Sequence, residues 1–313
     1  MGHCSAESPR DASVWISADG FSNTPVTVGA RYANGQFTTL IGADPTFVGP
    51  PTGPVAVTST NVAYFASLAY EPIGSSPPTG TAFVELDGVS AGANFTVLWP
   101  GTISDVAADN RGNLWYILGC SCSQFIPYSF VAEGPTDANP PGQLVVPLGD
   151  YGLGLQALAI SPDGNTIWVA ASGNVDRVSS NGTILQTYAL PAGASISGMA
   201  AISNGSVWYT DSGHNAIVNL SSTGAFSSYP VPSKSSGVDR IAVGGDGALW
   251  FTENSANKIG RITPQGLMHE YPIPTANAAP AGIAGPNGAG CNPDVVWFVE
   301  QNAGKIGEIT IQS

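Results

Sequence analysis

Seven times along this 313-residue chain an apolar residue is followed by a large aromatic one, and the pairs fall at a slowly varying period. They are Val14-Trp15, Tyr64-Phe65, Leu114-Trp115, Ile167-Trp168, Val207-Trp208, Leu249-Trp250 and Val296-Trp297. From Trp168 through Trp208 and Trp250 to Trp297 the spacings are 40, 42 and 47 residues. The run Arg240–Pro274, RIAVGGDGALWFTENSANKIGRITPQGLMHEYPIP, shows what one period contains. It reads as four short strands, Arg240–Val243, Ala248–Glu253, Lys258–Thr263 and Leu267–Pro272, separated by glycine-rich turns of the kind tight hairpins require. A four-stranded unit of this size cannot cover both of its faces. Periods of about 40 to 50 residues with four strands each therefore predict blades packed radially on one another. The expected fold is all-β: a single seven-bladed β-propeller of four-stranded antiparallel blades. The blades run approximately 1–48, 49–101, 102–153, 154–194, 195–236, 237–278 and 279–313.

Composition narrows the partners. Glycine (39) and proline (25) are abundant, which suits frequent turns and disfavours long helices. Nine Lys and Arg against 22 Asp and Glu give a formal charge of −13, which repels phosphate backbones, so nucleic acid is excluded as a partner. No apolar stretch is long enough to span a membrane. The Ser-, Thr- and Asn-rich, Lys-poor composition points to an extracytoplasmic protein, secreted or periplasmic, acting as a monomer. The start, Met1-Gly2-His3-Cys4, carries no signal sequence, and the chain ends on a third strand, Lys305–Thr310. A truncated N-terminus and a weak seam between first and last blades are the expectation. Cys120 and Cys122 are spaced too closely for a metal knuckle, leaving a local disulfide or two free thiols. Gly88–Gly92 fits GxSxG but falls between two strands, where that elbow has no function.

The run GALWFTENSANKIGRITPQGLMHEYPIPT closely resembles the repeat of the virginiamycin B lyase (streptogramin B lyase) family, strongly over 195–313 and recognisably over 155–194. The resemblance implies a seven-bladed propeller. It also implies an enzyme that opens a cyclic depsipeptide ester by elimination, using a magnesium ion with a histidine and a glutamate at the top of the ring. The family's histidines follow a proline at the start of a first strand. The matching positions here hold Asp239 and Ala281, and the glutamate is matched by Glu300.

In a propeller the fourth-to-first and second-to-third connections share one mouth. This places Gln156, Ser197, Asp239 and Ala281 at first-strand starts, and Asp211, Glu253 and Glu300 at second-strand ends. Gln156, Ser197, Asp211 and Asp239 are the expected ligand-binding residues. Glu253 and Glu300 are the candidate ligands of Mg²⁺ or Ca²⁺, which favour carboxylate oxygen. Glu300, His3 and His214 are the candidate catalytic groups. The expected function is recognition of a small molecule, glycan or peptide at the mouth. The alternative is a divergent metal-assisted lyase or hydrolase acting on a cyclic ester or lactone.

Overall fold

The computed structural model describes strands from Val14 onward, and side chains at 105–107, 115–117, 156–171, 173–285, 295–303 and 305–311. Every described strand lies in an antiparallel sheet. No α-helix occurs among the described residues, only one 3₁₀ turn at Gln301–Ala303. The described strands form seven sheets in chain order, five of four strands and two, the first and last, of three. The chain divides into two compact units. One holds Met1–Leu155, Asn181–Thr183 and Gly288–Cys291; the other holds Gln156–Ser180, Ile184–Asn287 and Asn292–Ser313.

In the second unit four sheets follow one another, each named here by its tryptophan. The Trp250 sheet comprises Val238–Val243, Leu249–Glu253, Lys258–Ile262 and Met268–Pro272, within two residues of the sequence reading throughout. The Trp168 sheet runs from Ala157 to Ala189 and the Trp208 sheet from Ile196 to Pro230, each with four strands. The Trp297 sheet has three described strands, Pro280–Ala284, Val295–Glu300 and Lys305–Thr310.

Alternation explains how these sheets stack. In the Trp208 sheet, Met199, Val207, Tyr209 and Val218 pack back onto Trp168 and Val175. Trp208 and Ile217, on its opposite face, pack forward onto Leu249 and Phe251. Trp250 and Ile259 repeat the forward contact onto Val296 and Phe298. Trp168, Trp208 and Trp250 are at most 2% exposed. Burial of side chains this large, at 1.5–3 kcal/mol or more each, is the main force holding sheet to sheet (roughly, by area). Each of these tryptophans also stacks on a fourth-strand tyrosine: Tyr188, Tyr229 and Tyr271, at 5.9, 5.5 and 5.6 Å between centroids.

Two sequence signatures acquire physical reasons. The glycine of KIG lies directly across from the second-strand phenylalanine, Gly260 against Phe251 and Gly307 against Phe298. A methyl group there would collide with the ring. The asparagine before the third strand, Asn215 or Asn257, adopts left-handed φ of 53° or 57°, a region that asparagine tolerates. Its amide then staples the loop leading to the next sheet. Asn215 donates to Ser233 O (2.8 Å) and accepts from Ser236 N (2.9 Å). Asn257 donates to Thr275 O (2.9 Å) and accepts from Ala278 N (2.7 Å).

Candidate functional site

One end of the second unit is built from the two kinds of loop expected to share a mouth. Second-to-third turns lie against fourth-to-first connections: Ser212 N donates to Ser195 O (2.9 Å), Asn254 N to Gly237 O (3.0 Å) and Asn302 N to Ala278 O (3.1 Å). Beneath them the first strands of successive sheets lie side by side. Their contact is close. A methyl group on Gly198 would come within 3.0 Å of Asp239 O.

Two buried threonine hydroxyls each pin a pair of neighbouring first strands, and the first strand of the Trp250 sheet is held from both sides. Thr210 accepts from Gly198 N (3.0 Å) in its own sheet and donates to Asp239 O (2.5 Å) in the next. Thr252 accepts from Arg240 N (3.0 Å) and donates to Ala281 O (3.1 Å). The clasp sits where the pairing register slips, between Ile196 and Gly198 and between Val238 and Ile241. Bulges of this kind turn side chains out of the sheet's alternation.

Along this row the structure brings together three of the expected ligand-binding residues. Gln156 Oε1 accepts from Ile196 N (3.3 Å), the neighbour of Ser197, and Ser197 O accepts from Arg240 Nη1 (3.2 Å), the neighbour of Asp239. Burial raises the pKa of Asp239 above the ordinary carboxylate value, and the Arg240 charge opposes that rise. Arg240 was missed in the sequence, although it and Asp239 are the charged residues of an otherwise apolar first strand.

The acids at second-strand ends have separate fates. Asp211 is buried, and its Oδ1 accepts from Ser195 N (3.0 Å), Gly213 N (3.1 Å) and His214 N (3.3 Å). Its Oδ2 meets His214 Nδ1 at 2.7 Å. That hydrogen bond, then the Asp211 charge, raises the His214 pKa; the Ala192 backbone adds to it and burial opposes it. The Nε2 side of the ring lies over Gly193. His214 thus closes one turn onto the preceding loop.

Glu253 is fully buried, and neither carboxylate oxygen has a hydrogen-bond partner. Burial, then the Glu270 charge, push its pKa up to about 7, against the pull of Lys258. Lys258 Nζ is itself taken up by Glu270 (2.6 Å) and Ser233 Oγ (2.8 Å). Glu300 is also buried, with Oε2 unpartnered.

Among the described residues no three His, Cys, Asp or Glu side chains come together to hold a metal ion. Asp211 is saturated by backbone N–H groups, and the charged neighbours of Glu253 are Glu270 and Lys258. These donors do not supply the oxygen shell that Mg²⁺ needs. His3, Cys120 and Cys122 lie outside the described residues. His269 sits on the outer strand of the Trp250 sheet, paired with Arg261. No helix among the described residues is long and apolar enough to cross a membrane.

Stacked antiparallel sheets, a shared loop end and a repeated tryptophan define a β-propeller protein. The chain belongs to the virginiamycin B lyase family, whose model matches residues 144–313. Among solved structures it is similar to a streptogramin B lyase at 23% identity, TM-score 0.63, covering 86% of this chain and 85% of that one. A catalytically inactive histidine-to-alanine virginiamycin B lyase from Staphylococcus aureus with quinupristin matches at 22% identity, TM-score 0.64, over 86% and 83%. Hydrazine synthase from Kuenenia stuttgartiensis matches at 10% identity, TM-score 0.59, over 87% and 97%. At these identities the likeness is one of fold. A search of curated proteins found no match.

Proposed function

We propose that this chain is an exported, seven-bladed recognition propeller of the virginiamycin B lyase family, binding a small molecule, glycan or peptide rather than performing elimination. The observation that carries the reading is the pair of positions where the family's histidines would stand, since the one histidine described at the loop end, His214, lies instead on a second-to-third turn and is held there by Asp211. A general base must stand within reach of the substrate proton. The positions matching the family's histidines hold Asp239 and Ala281, and neither residue is an imidazole.

The deciding experiment incubates the protein with a cyclic depsipeptide ester and Mg²⁺, and probes a glycan and peptide array in parallel. The ester is expected back unopened, with the protein retained on part of the array. Ring opening that disappears in Glu300→Gln and His214→Ala would establish the lyase instead. An array with no retained protein would overturn recognition.

A further inference from the structure

Resting on the recognition reading, we infer that Asp239 and Arg240 form a two-pronged site for one residue of an extended peptide backbone, Asp239 taking its N–H and Arg240 its C=O. The four first strands of the second unit read ALAI, ISGMAA, VDRIAV and PAGIA, and Asp239 and Arg240 are their only charged residues. Both side chains are over a third exposed, 37% and 39%. They stand in the register slip of the first strand, where neither is paired in the ladder with the second strand.

Their backbone is fixed while their side chains are left open. Asp239 O is held by Thr210 and Arg240 N by Thr252, so the two Cα atoms have little freedom. The side chains do not satisfy each other. Arg240 Nε lies 3.9 Å from Asp239 Oδ1, an ion-pair distance beyond hydrogen-bond reach. Arg240 spends one donor on Ser197 O, and a guanidinium carries five. Among the described residues the Asp239 carboxylate accepts no hydrogen bond from another side chain or backbone group.

A carboxylate and a guanidinium on adjoining residues ask for a ligand that offers one donor and one acceptor side by side. A residue in an extended peptide does this, turning its own N–H and C=O to the same side, as strands do when they pair. Neighbouring hydroxyls of a sugar can also supply a donor and an acceptor, but at no fixed spacing along a chain, which makes a saccharide the competing probe.

The test uses nitrogen-edited NMR of arginine Nε–H groups in the intact protein, which has six arginines. The Arg240 signal is assigned by its loss in Arg240→Lys. Probes are a pool of N-acetylated, C-amidated tripeptides and a neutral trisaccharide. The expected result is a shift of the Arg240 signal with the peptide pool, and binding weakened about tenfold or more in Asp239→Asn and in Arg240→Lys. Peptide binding that leaves this signal and both variants unchanged overturns the site but leaves the recognition reading standing. Binding of the trisaccharide alone overturns the peptide assignment. Binding of neither probe overturns this site, and the array then decides the recognition reading.

Discussion

Asp211 and Glu253 close the second strands of adjoining sheets at the same position of the repeat, and they differ by one methylene. The shorter side chain stays over its own turn and collects three backbone N–H groups and an imidazole. The longer one leaves its turn, whose N–H groups go instead to the Ser236 and Gly237 carbonyls, and ends among Glu270, Lys258 and Ser233. The repeat therefore fixes where an acid stands and not what it does. A carboxylate that caps a loop and a carboxylate left buried away from its turn are products of side-chain length and of the next loop's path.

The largest effect is expected from Asp211→Ala. Three backbone N–H groups and His214 lose their acceptor at once, and stability measured by urea unfolding should fall by about 3 to 4 kcal/mol. An Asp211 loss under 1 kcal/mol would mean water takes over the turn, erasing the contrast with Glu253 (about that size for an exposed bond). The same carboxylate raises the His214 pKa. Its contribution is complete below the ordinary histidine range and fades as pH rises through the raised value, so an NMR titration of His214 should move down in Asp211→Asn.

Next comes Glu253→Gln. The folded carboxylate has a pKa of about 7 against 4.5 in the unfolded chain, so the folded state keeps a proton that the unfolded state has released. That stabilisation is full below the unfolded value and lost as pH climbs through about 7. Between pH 5 and pH 8 the parent protein should lose about 2.5 kcal/mol that the glutamine variant keeps. Parallel stability curves for the two proteins would show that Glu253 finds a partner when ionised.

Thr252→Val should cost about 2 kcal/mol, because Arg240 N and Ala281 O both lose a buried partner. The Trp297 sheet supplies the control, since its matching residue is already Val299. Val299→Thr should leave stability within about half a kcal/mol. Apart from that control, the smallest effect belongs to the connection into that sheet. Ala279 holds φ of 49°, where the equivalent residue one sheet earlier is Gly237 at 66°. Ala279→Gly should stabilise by at most about 1 kcal/mol, read as a small rise in Tm.

Much of this architecture is legible in the linear chain. The tryptophan period, the turn glycines and the alternation within ALWFTE and KIGRIT give the strands to within two residues, because those signals act within a hairpin. What escapes reading acts between sheets. The threonine of WYT and WFT, and the asparagine of HN and NK, are plain in the sequence, but each works on a strand or loop reached only after the next turn of the repeat. Arg240 went unremarked for the same reason: its meaning comes from the empty, apolar first strands beside it. Equivalent positions of the repeat place Asp211, Asp239, Glu253 and Glu300 at one loop end but do not tell where each side chain travels. Among the described residues they do not gather into one group.

The paired threonine clasp has an evolutionary consequence. Ser197, Asp239 and Ala281 occupy one position on three successive first strands, and their side chains share no chemistry. The backbone at Asp239 and Ala281 is nonetheless gripped in the same way, through a carbonyl taken by the previous sheet's hydroxyl. Since that grip asks nothing of the side chain, mutation can rewrite the inner row one residue at a time while the scaffold stays intact. A lineage built on this clasp can drift from one ligand to another, or away from catalysis, without first becoming unstable.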